Sequence, residues 1–259
     1  MKKIIKKLLE FGGYQLKKME VKKDPAIEPG SAARPVGSMQ FLLQDLKQRG
    51  LQCHSILDVG ANDTSYSRMV WEIFPASNFF LIEPLSEMEQ NLKAFSAQNK
   101  NAVYFLAGAG AKKDILTITV FEELAGSSFV PLPTETLKQQ GKQRLIEIIT
   151  IDDLIETNKI SIPQLIKLDI QGFELEALKG AQKTFGITEV YIIEVALFPY
   201  NESPDLPVLS DVINYMLLKD YVVYDFPGFL RRPFDGALGQ CDICFVKKNG
   251  FLKKYNGWS

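Results

Sequence analysis

The chain has 259 residues, 46% hydrophobic and 24% charged, an ordinary composition for a soluble globular protein and enough for one large α/β domain or two small ones. A formal net charge of -1 gives no basis for nucleic acid as a partner, and no apolar stretch reaches the roughly 18–20 residues a membrane helix needs. Three cysteines, Cys53, Cys241 and Cys244, cannot all pair within the chain, which fits a reducing, cytoplasmic setting.

The start, "MKKIIKKLLEF", has no continuous apolar core, because Lys6 and Lys7 split it, so it does not read as a secretory signal. Ile4, Ile5, Leu8, Leu9 and Phe11 form one apolar helical face beside Lys2, Lys3, Lys6 and Lys7. Such a helix can lie on an anionic membrane surface, giving peripheral membrane contact, or pack on its own domain or on a partner subunit. "DPAIEPGSAARP" reads as a linker. The expected organisation is therefore an extension over 1–34 and one domain over 35–259.

That domain opens with a helix over "MQFLLQDLKQRG", closed by Gly50. Strands "SILDV", "NFFLIE" and "AVYFLAG" follow, separated by helices over "YSRMVWEIF" and "SEMEQNLKAFSAQN". "DILTITVF" and "RLIEIIT" carry β-branched residues and are expected as strands of an insertion at the sheet's edge. "QLIKLD" is the next core strand, with its helix over "FELEALKGAQKTF"; then come the strand "EVYIIEV" and a helix over "VLSDVINYMLLKD". "YVVYDF" and "CDICFVKK" close the chain and, too near one another for a crossover helix, are expected to pair antiparallel. Alternation of this kind predicts a Rossmann-like α/β fold, a mainly parallel sheet covered on both faces. Within the last strand, Cys241 and Cys244 lie three apart and so point to opposite faces, which favours core thiols over a redox or zinc pair.

Ligands of open α/β sheets sit beyond the carboxyl ends of the strands. At the first such end, "ILDVGANDTSYS", Gly60 permits a tight turn, but Asn62 and Thr64 stand where a dinucleotide fingerprint wants further glycines. Asp58 would repel a pyrophosphate and suits an ammonium group. Glu83, closing the second strand in "LIEP", is placed to accept hydrogen bonds from both ribose hydroxyls of an adenosine. A nucleoside with an amino-acid tail and no phosphate satisfies all three residues. S-adenosylmethionine is that molecule, and Asp58, Gly60, Ala61, Asn62 and Glu83 are its candidate binding residues.

Further along, Asp169 ends the fourth core strand and Glu194 the fifth. A carboxylate held at a strand tip can orient an acceptor hydroxyl and take its proton, and Asp169 is the expected catalytic base, with Glu194 positioning substrate or tuning it. The two acids can also ligate Mg²⁺, but two carboxylates make a weak site and no metal is assigned. Glu174 meets the positive end of its own helix and has a purely structural reading as well. His54, the sole histidine, precedes the first strand and lies at the wrong end of the sheet for catalysis. Ser127, Ser128, Tyr200, Asn201, Arg231 and Arg232 are candidates for an acceptor pocket above the sheet.

"ILDVGAN", "LIEP", "ITIDDLIE", "LIKLDIQGFELEALKGA", "IIEV" and "GQCDICFVKK" together resemble the FkbM-type methyltransferase family, from about Ser55 to Lys248. The resemblance implies a class I methyltransferase fold, S-adenosylmethionine as donor, and a hydroxyl acceptor on a sugar, a glycan or a secondary metabolite. Asp58, Gly60, Asn62 and Glu83 match its cofactor positions, and Asp169, Gly172 and Glu174 its signature. Thr64 stands where the family usually has Gly, Gln171 where it usually has Glu, and Ala111 where relatives often have an acid. A left-handed backbone at Thr64 would be strained. Two other readings stay open: a catalytically weakened binding or scaffold protein, and a nucleotide-dependent oxidoreductase, which the missing glycines weaken.

Overall fold

The structure, a computed structural model, describes residues 34–199 and 205–254. The lysine-rich helix expected over the first residues, and Tyr200 and Asn201, lie outside these. The chain from residue 35 builds a seven-stranded sheet from β1 (Ser55–Val59), β2 (Asn78–Ile82), β3 (Ala102–Phe105), β7 (Leu165–Leu168), β8 (Val190–Ala196), β9 (Tyr221–Arg231) and β10 (Leu238–Lys247). Their order is β3-β2-β1-β7-β8-β10-β9; the first five are parallel and β10 runs antiparallel to both of its neighbours. This is the Rossmann-like, class I methyltransferase arrangement that the resemblance implied.

The central strands are buried on both faces: every residue of β1 and β7 is inaccessible, as their near-continuous apolar sequences require. On one face Leu57, Val59, Ile166, Leu168, Tyr191 and Ile193 pack against α5 (Ile151–Glu156), α6 (Glu174–Lys179) and α7 (Leu209–Leu218). On the other, Ile56, Phe79, Leu81, Leu165 and Ile192 pack against α1 (Met39–Gln48), α2 (Ser65–Ile73) and α3 (Glu89–Gln98). Cutting any of these fully buried aliphatic side chains to alanine costs about 2–5 kcal/mol. Helix α1 ends as expected at Gly50, whose φ of 104° admits the backbone bonds Leu51 N–H to Leu46 and Gly50 N–H to Lys47. Cys241 and Cys244 belong to opposite cores.

Three stretches differ from expectation. The chain after Phe105 does not extend the third strand; Gly108–Ala109 forms β4, which joins β5 (Asp114–Thr119) and β6 (Gln143–Ile149) in a separate three-stranded sheet of order β4-β6-β5. The insertion therefore stands apart instead of lengthening the main sheet's edge. β-Branched runs specify strands but not their partners. Between β5 and β6 lies α4 (Glu135–Gln139), capped by the Thr134 side chain on the Leu137 N–H. In the last hairpin the stretch "DFPGFLRRPFDGALGQ", which holds the pocket candidates Arg231 and Arg232, is mostly strand and not a segment above the sheet. Pro227 is tolerated because β9 is an edge strand, and the pairing slips at three bulges. The helix after β7 stops at Lys179, and the remainder of its expected span is a 3₁₀ turn over Gln182–Thr184.

Candidate functional site

A cavity of about 300 Å³ opens beyond the carboxyl ends of β1, β2, β7 and β8. At one end stand Gly60, Asn62, Ile82, Glu83, Pro84 and Leu85. Gly60 has φ 83°, and a methyl group on it would strike the Asp169 carbonyl, so the β1 and β7 turns can touch only through glycine. Asn62 and Thr64 continue this turn with φ of 44° and 69°. The Glu83 carboxylate ties the turn to β2, accepting from the Asn62 N–H at 2.8 Å and the Leu85 N–H at 2.9 Å. Each oxygen keeps a free acceptor site. Burial pushes the Glu83 carboxyl up to about 7, against the pull of these two N–H groups.

Asp58 and Ala61 do not line this cavity. Asp58 points from β1 toward α2, where Ser67 Oγ donates to its Oδ2 at 2.6 Å and its Oδ1 has no hydrogen-bond partner. Its carboxyl is pushed up by burial and pulled back by Lys167, its neighbour across β1 and β7. Any effect of Asp58 on a ligand in the cavity is therefore indirect. Ala61 is buried with the core of the α1–α3 face.

Asp169 and Glu194 do meet. Each lies one position past Leu168 and Ile193, the last residues by which β7 and β8 pair with each other, Glu194 being still within β8, and both line the cavity. Gln171 bridges them, its Nε2 donating to Asp169 Oδ1 at 3.0 Å and Glu194 Oε2 at 2.7 Å. Gln240 of β10 donates to Glu194 Oε2 at 3.3 Å and to Gln171 Oε1 at 3.2 Å. Beneath, Lys167 Nζ reaches Asp169 Oδ2 at 2.6 Å; the lysine side chain is 8% exposed and the aspartate 29%. Lys167 also lies over the Tyr66 ring, 5.1 Å from its centre. Despite the opposing effect of burial, Lys167 draws the Asp169 carboxyl below the usual range. Burial and the nearby Asp169 charge push Glu194 up to about 9. One member is thus ionised and the other protonated near neutral pH, which reverses the expected order of basicity. Lys167 and Gln240 are functional candidates that sequence reasoning passed over.

The turn between β7 and α6 is held from within. Gln171 and Gly172 have φ of 53° and 97°, and Glu174 Oε1 accepts from the Ile170 N–H at 2.9 Å and the Gly172 N–H at 3.1 Å. Glu174 is buried, which pushes its carboxyl up to about 7. Its place is structural: it shapes the turn that presents Asp169 and Gln171. A second cavity, of about 200 Å³, shares Gln171, Glu194 and Gln240 with the first and is closed by Phe121, Ser128 and Leu206. Ser127 lines the first cavity and Ser128 the second, whose hydroxyl donates to the Gln171 carbonyl at 2.7 Å. Arg231 and Arg232 line neither. Arg232 is paired with Asp235 at 2.6 Å and lies over Phe198 and Phe234, while Arg231 donates to the Gly236 carbonyl. His54 is exposed ahead of β1, as expected, and lines neither cavity.

The family described as the Methyltransferase FkbM domain matches residues 58–223. Hexuronic acid methyltransferase AglP of Haloferax volcanii is 32% identical over 73 residues, 26% of this chain and 30% of that protein. The crystal structure of Methyltransferase FkbM from Methylobacillus flagellatus KT is 21% identical, covering 73% of this chain and 43% of that one, with a TM-score of 0.47. Precorrin-6y C5,15-methyltransferase from Geobacter metallireducens GS-15 is 14% identical over 80% of this chain and 86% of that one, with a TM-score of 0.44. The matches thus span less than half the length of the first two of these relatives. Because the family match runs from Asp58 through the Asp169 turn and Glu194 into β9, this chain belongs to the FkbM methyltransferase family.

Proposed function

We propose that the protein is an S-adenosylmethionine-dependent O-methyltransferase whose acceptor is a neutral hydroxylated molecule, a sugar or glycan before a secondary metabolite. The observation that carries this reading is that the Glu83 end and the Asp169–Glu194 end belong to one cavity, and that Gln171, Glu194 and Gln240 also face the adjoining one. The residues present fit the cofactor. Glu83 keeps acceptor capacity for ribose hydroxyls, and Ile82, Pro84, Leu85, Ala107 and Ile118 offer an apolar wall for a base. The acids at the far end suit positive charge, and the glycine-poor β1 turn does not suit a pyrophosphate. When bound, the cofactor supplies an electrophilic methyl group on a positively charged sulfur. Asp169 and Glu194 would then orient the acceptor hydroxyl and receive its proton, while Gln171 and Gln240 keep the pair in place.

The relative AglP is named for a hexuronic acid, whose carboxylate calls for a cationic partner. Among the described residues neither cavity is lined by lysine or arginine. That favours a neutral ring here. Melting curves with S-adenosylmethionine, S-adenosylhomocysteine and NAD test the cofactor: the first two should raise the melting temperature by mass action and NAD should not. Glu83→Ala should reduce the shift, its loss of a charge-assisted ribose contact being worth about 1.5–3 kcal/mol. An NAD shift alone, or an unchanged response in a folded Glu83→Ala protein, would overturn the assignment.

A further inference from the structure

The two cavity acids are held by different donors. Asp169 has one on each oxygen, the Lys167 ammonium and the Gln171 amide. Glu194 accepts two amides on Oε2 and shares a hydrogen bond with Asp169, in which Glu194 is the member that keeps the proton. Around them stand Asp58 from β1, Asp242 from β10, opposite Glu194 in register, and Tyr66 from α2. Four carboxylates therefore share the field of one buried ammonium. Such an excess of negative charge in a partly desolvated site is relieved by a proton. Lys167 secures Asp169 as the ionised member, so the proton resides on Glu194, whose carboxyl sits at about 9. Among the described residues, neither Lys nor Arg lines the cavity beside Glu194.

We propose that binding of the positively charged methyl donor displaces the proton from Glu194 to solvent and so arms Glu194 as the base, whereas the uncharged-sulfur product leaves the proton in place. The proposal rests on the S-adenosylmethionine reading above. Its physical basis is that a cation placed near a carboxylate favours the ionised form. The charges also balance around a turnover. The Glu194 O–H bond breaks on donor binding, and the acceptor hydroxyl proton restores it on transfer. The product complex then has the same proton count as the resting site, and Lys167 acts as a positioning residue that keeps Asp169 from competing for that proton.

Calorimetry at pH 7.5 in phosphate and in Tris, whose ionisation enthalpies differ, counts protons released on binding without any acceptor. S-adenosylmethionine should release about one proton per site more than S-adenosylhomocysteine, any release from Glu83 being common to both. Between pH 7 and 8 the ratio of their affinities should therefore change about tenfold in favour of the donor, as linkage requires for one proton. The ratio removes effects common to both ligands, including titration of Glu83. Glu194→Gln should still bind the donor but lose this excess over the product. Equal proton release by the two ligands, or undiminished release in Glu194→Gln, overturns the proposal while leaving the cofactor reading intact. Failure of both ligands to bind overturns the cofactor reading and the proposal together.

Discussion

Thr64 caps α2 at φ 69° and ψ 11°, the left-handed region in which a β-carbon crowds the next carbonyl. Its side chain is fully buried and its hydroxyl accepts from Arg68 Nε at 3.1 Å. Thr64→Gly therefore acts in three ways. It releases about 1–2 kcal/mol of backbone strain, it gives the unfolded chain freedom that costs about 0.4–1 kcal/mol, and it deletes buried atoms. Thr64→Ala deletes the same methyl and hydroxyl but retains the β-carbon and hence the strain. Comparing the two variants isolates the backbone effect, and glycine should be the more stable by about 0.5–1 kcal/mol. Elsewhere in a helix or strand the order is the reverse by a similar amount. Urea unfolding of both proteins measures the difference as a shift of midpoint at constant slope. An alanine variant as stable as the glycine one would refute the strain, and with it the view that a glycine position has been occupied here by threonine.

Glu174→Gln keeps the acceptor oxygen for the Ile170 and Gly172 N–H groups but cannot ionise. The wild-type carboxyl is raised from 4.5 to about 7, so its contribution to stability is present below 4.5 and lost as pH rises through 7. The variant should match wild type at pH 4 and exceed it by up to about 3 kcal/mol at pH 8; a difference independent of pH in chemical denaturation would defeat this. Asp169→Asn takes from the Lys167 ammonium its ion-pair partner at 2.6 Å and leaves Asp58 and Asp242 as counter-charges, so it should cost about 1.5–3 kcal/mol, the range for a hydrogen bond to a charged group. With Lys167→Met added, the total loss should be smaller than the sum of the two single losses, and strictly additive losses in a double-mutant cycle would show that the pair is not coupled.

The seven-stranded sheet was legible because its strands and helices alternate with clear periods, and the tip acids followed from the rule that ligands gather at strand carboxyl ends. Asp58 was misread for a related reason. β1 is buried on both faces, so no polar–apolar alternation tells which way its one acid points. Lys167 was readable in principle: an ammonium inside an apolar strand, two residues before Asp169, must share its face and needs a partner. Gln240 was not. Its meeting with Gln171 and Glu194 depends on the antiparallel register of β10 against β8, which no local pattern records. Of the residues expected at an acceptor pocket, Ser127 and Ser128 line the cavities, Arg231 and Arg232 are engaged in the β9–β10 hairpin, and Tyr200 and Asn201 lie outside the described residues.

The separate small sheet gives the cavity two walls of different ancestry within the chain. One wall is made of strand tips, and the other is a single excursion between β5 and β6 that contributes Gly126, Ser127 and Phe129. Gln143 fastens the base of this excursion, donating to Thr119 Oγ1 at 2.8 Å and to the Leu132 carbonyl at 3.2 Å while accepting from the Thr134 N–H. Ser128, on the Gln171 carbonyl, Phe129, whose ring centre is 5.4 Å from that of Phe173, and Val130, beside Gly172, pin it to the β7 turn. Residues 120–142 are thus a cassette, clasped at its base by Gln143 and by the Val120 N–H on the Lys142 carbonyl and pinned near its tip. A new excursion grafted between Thr119 and Gln143, keeping a serine, a phenylalanine and a valine at the pins, would redraw the acceptor side of the cavity and leave Gly60, Glu83, Asp169 and Glu194 where they stand.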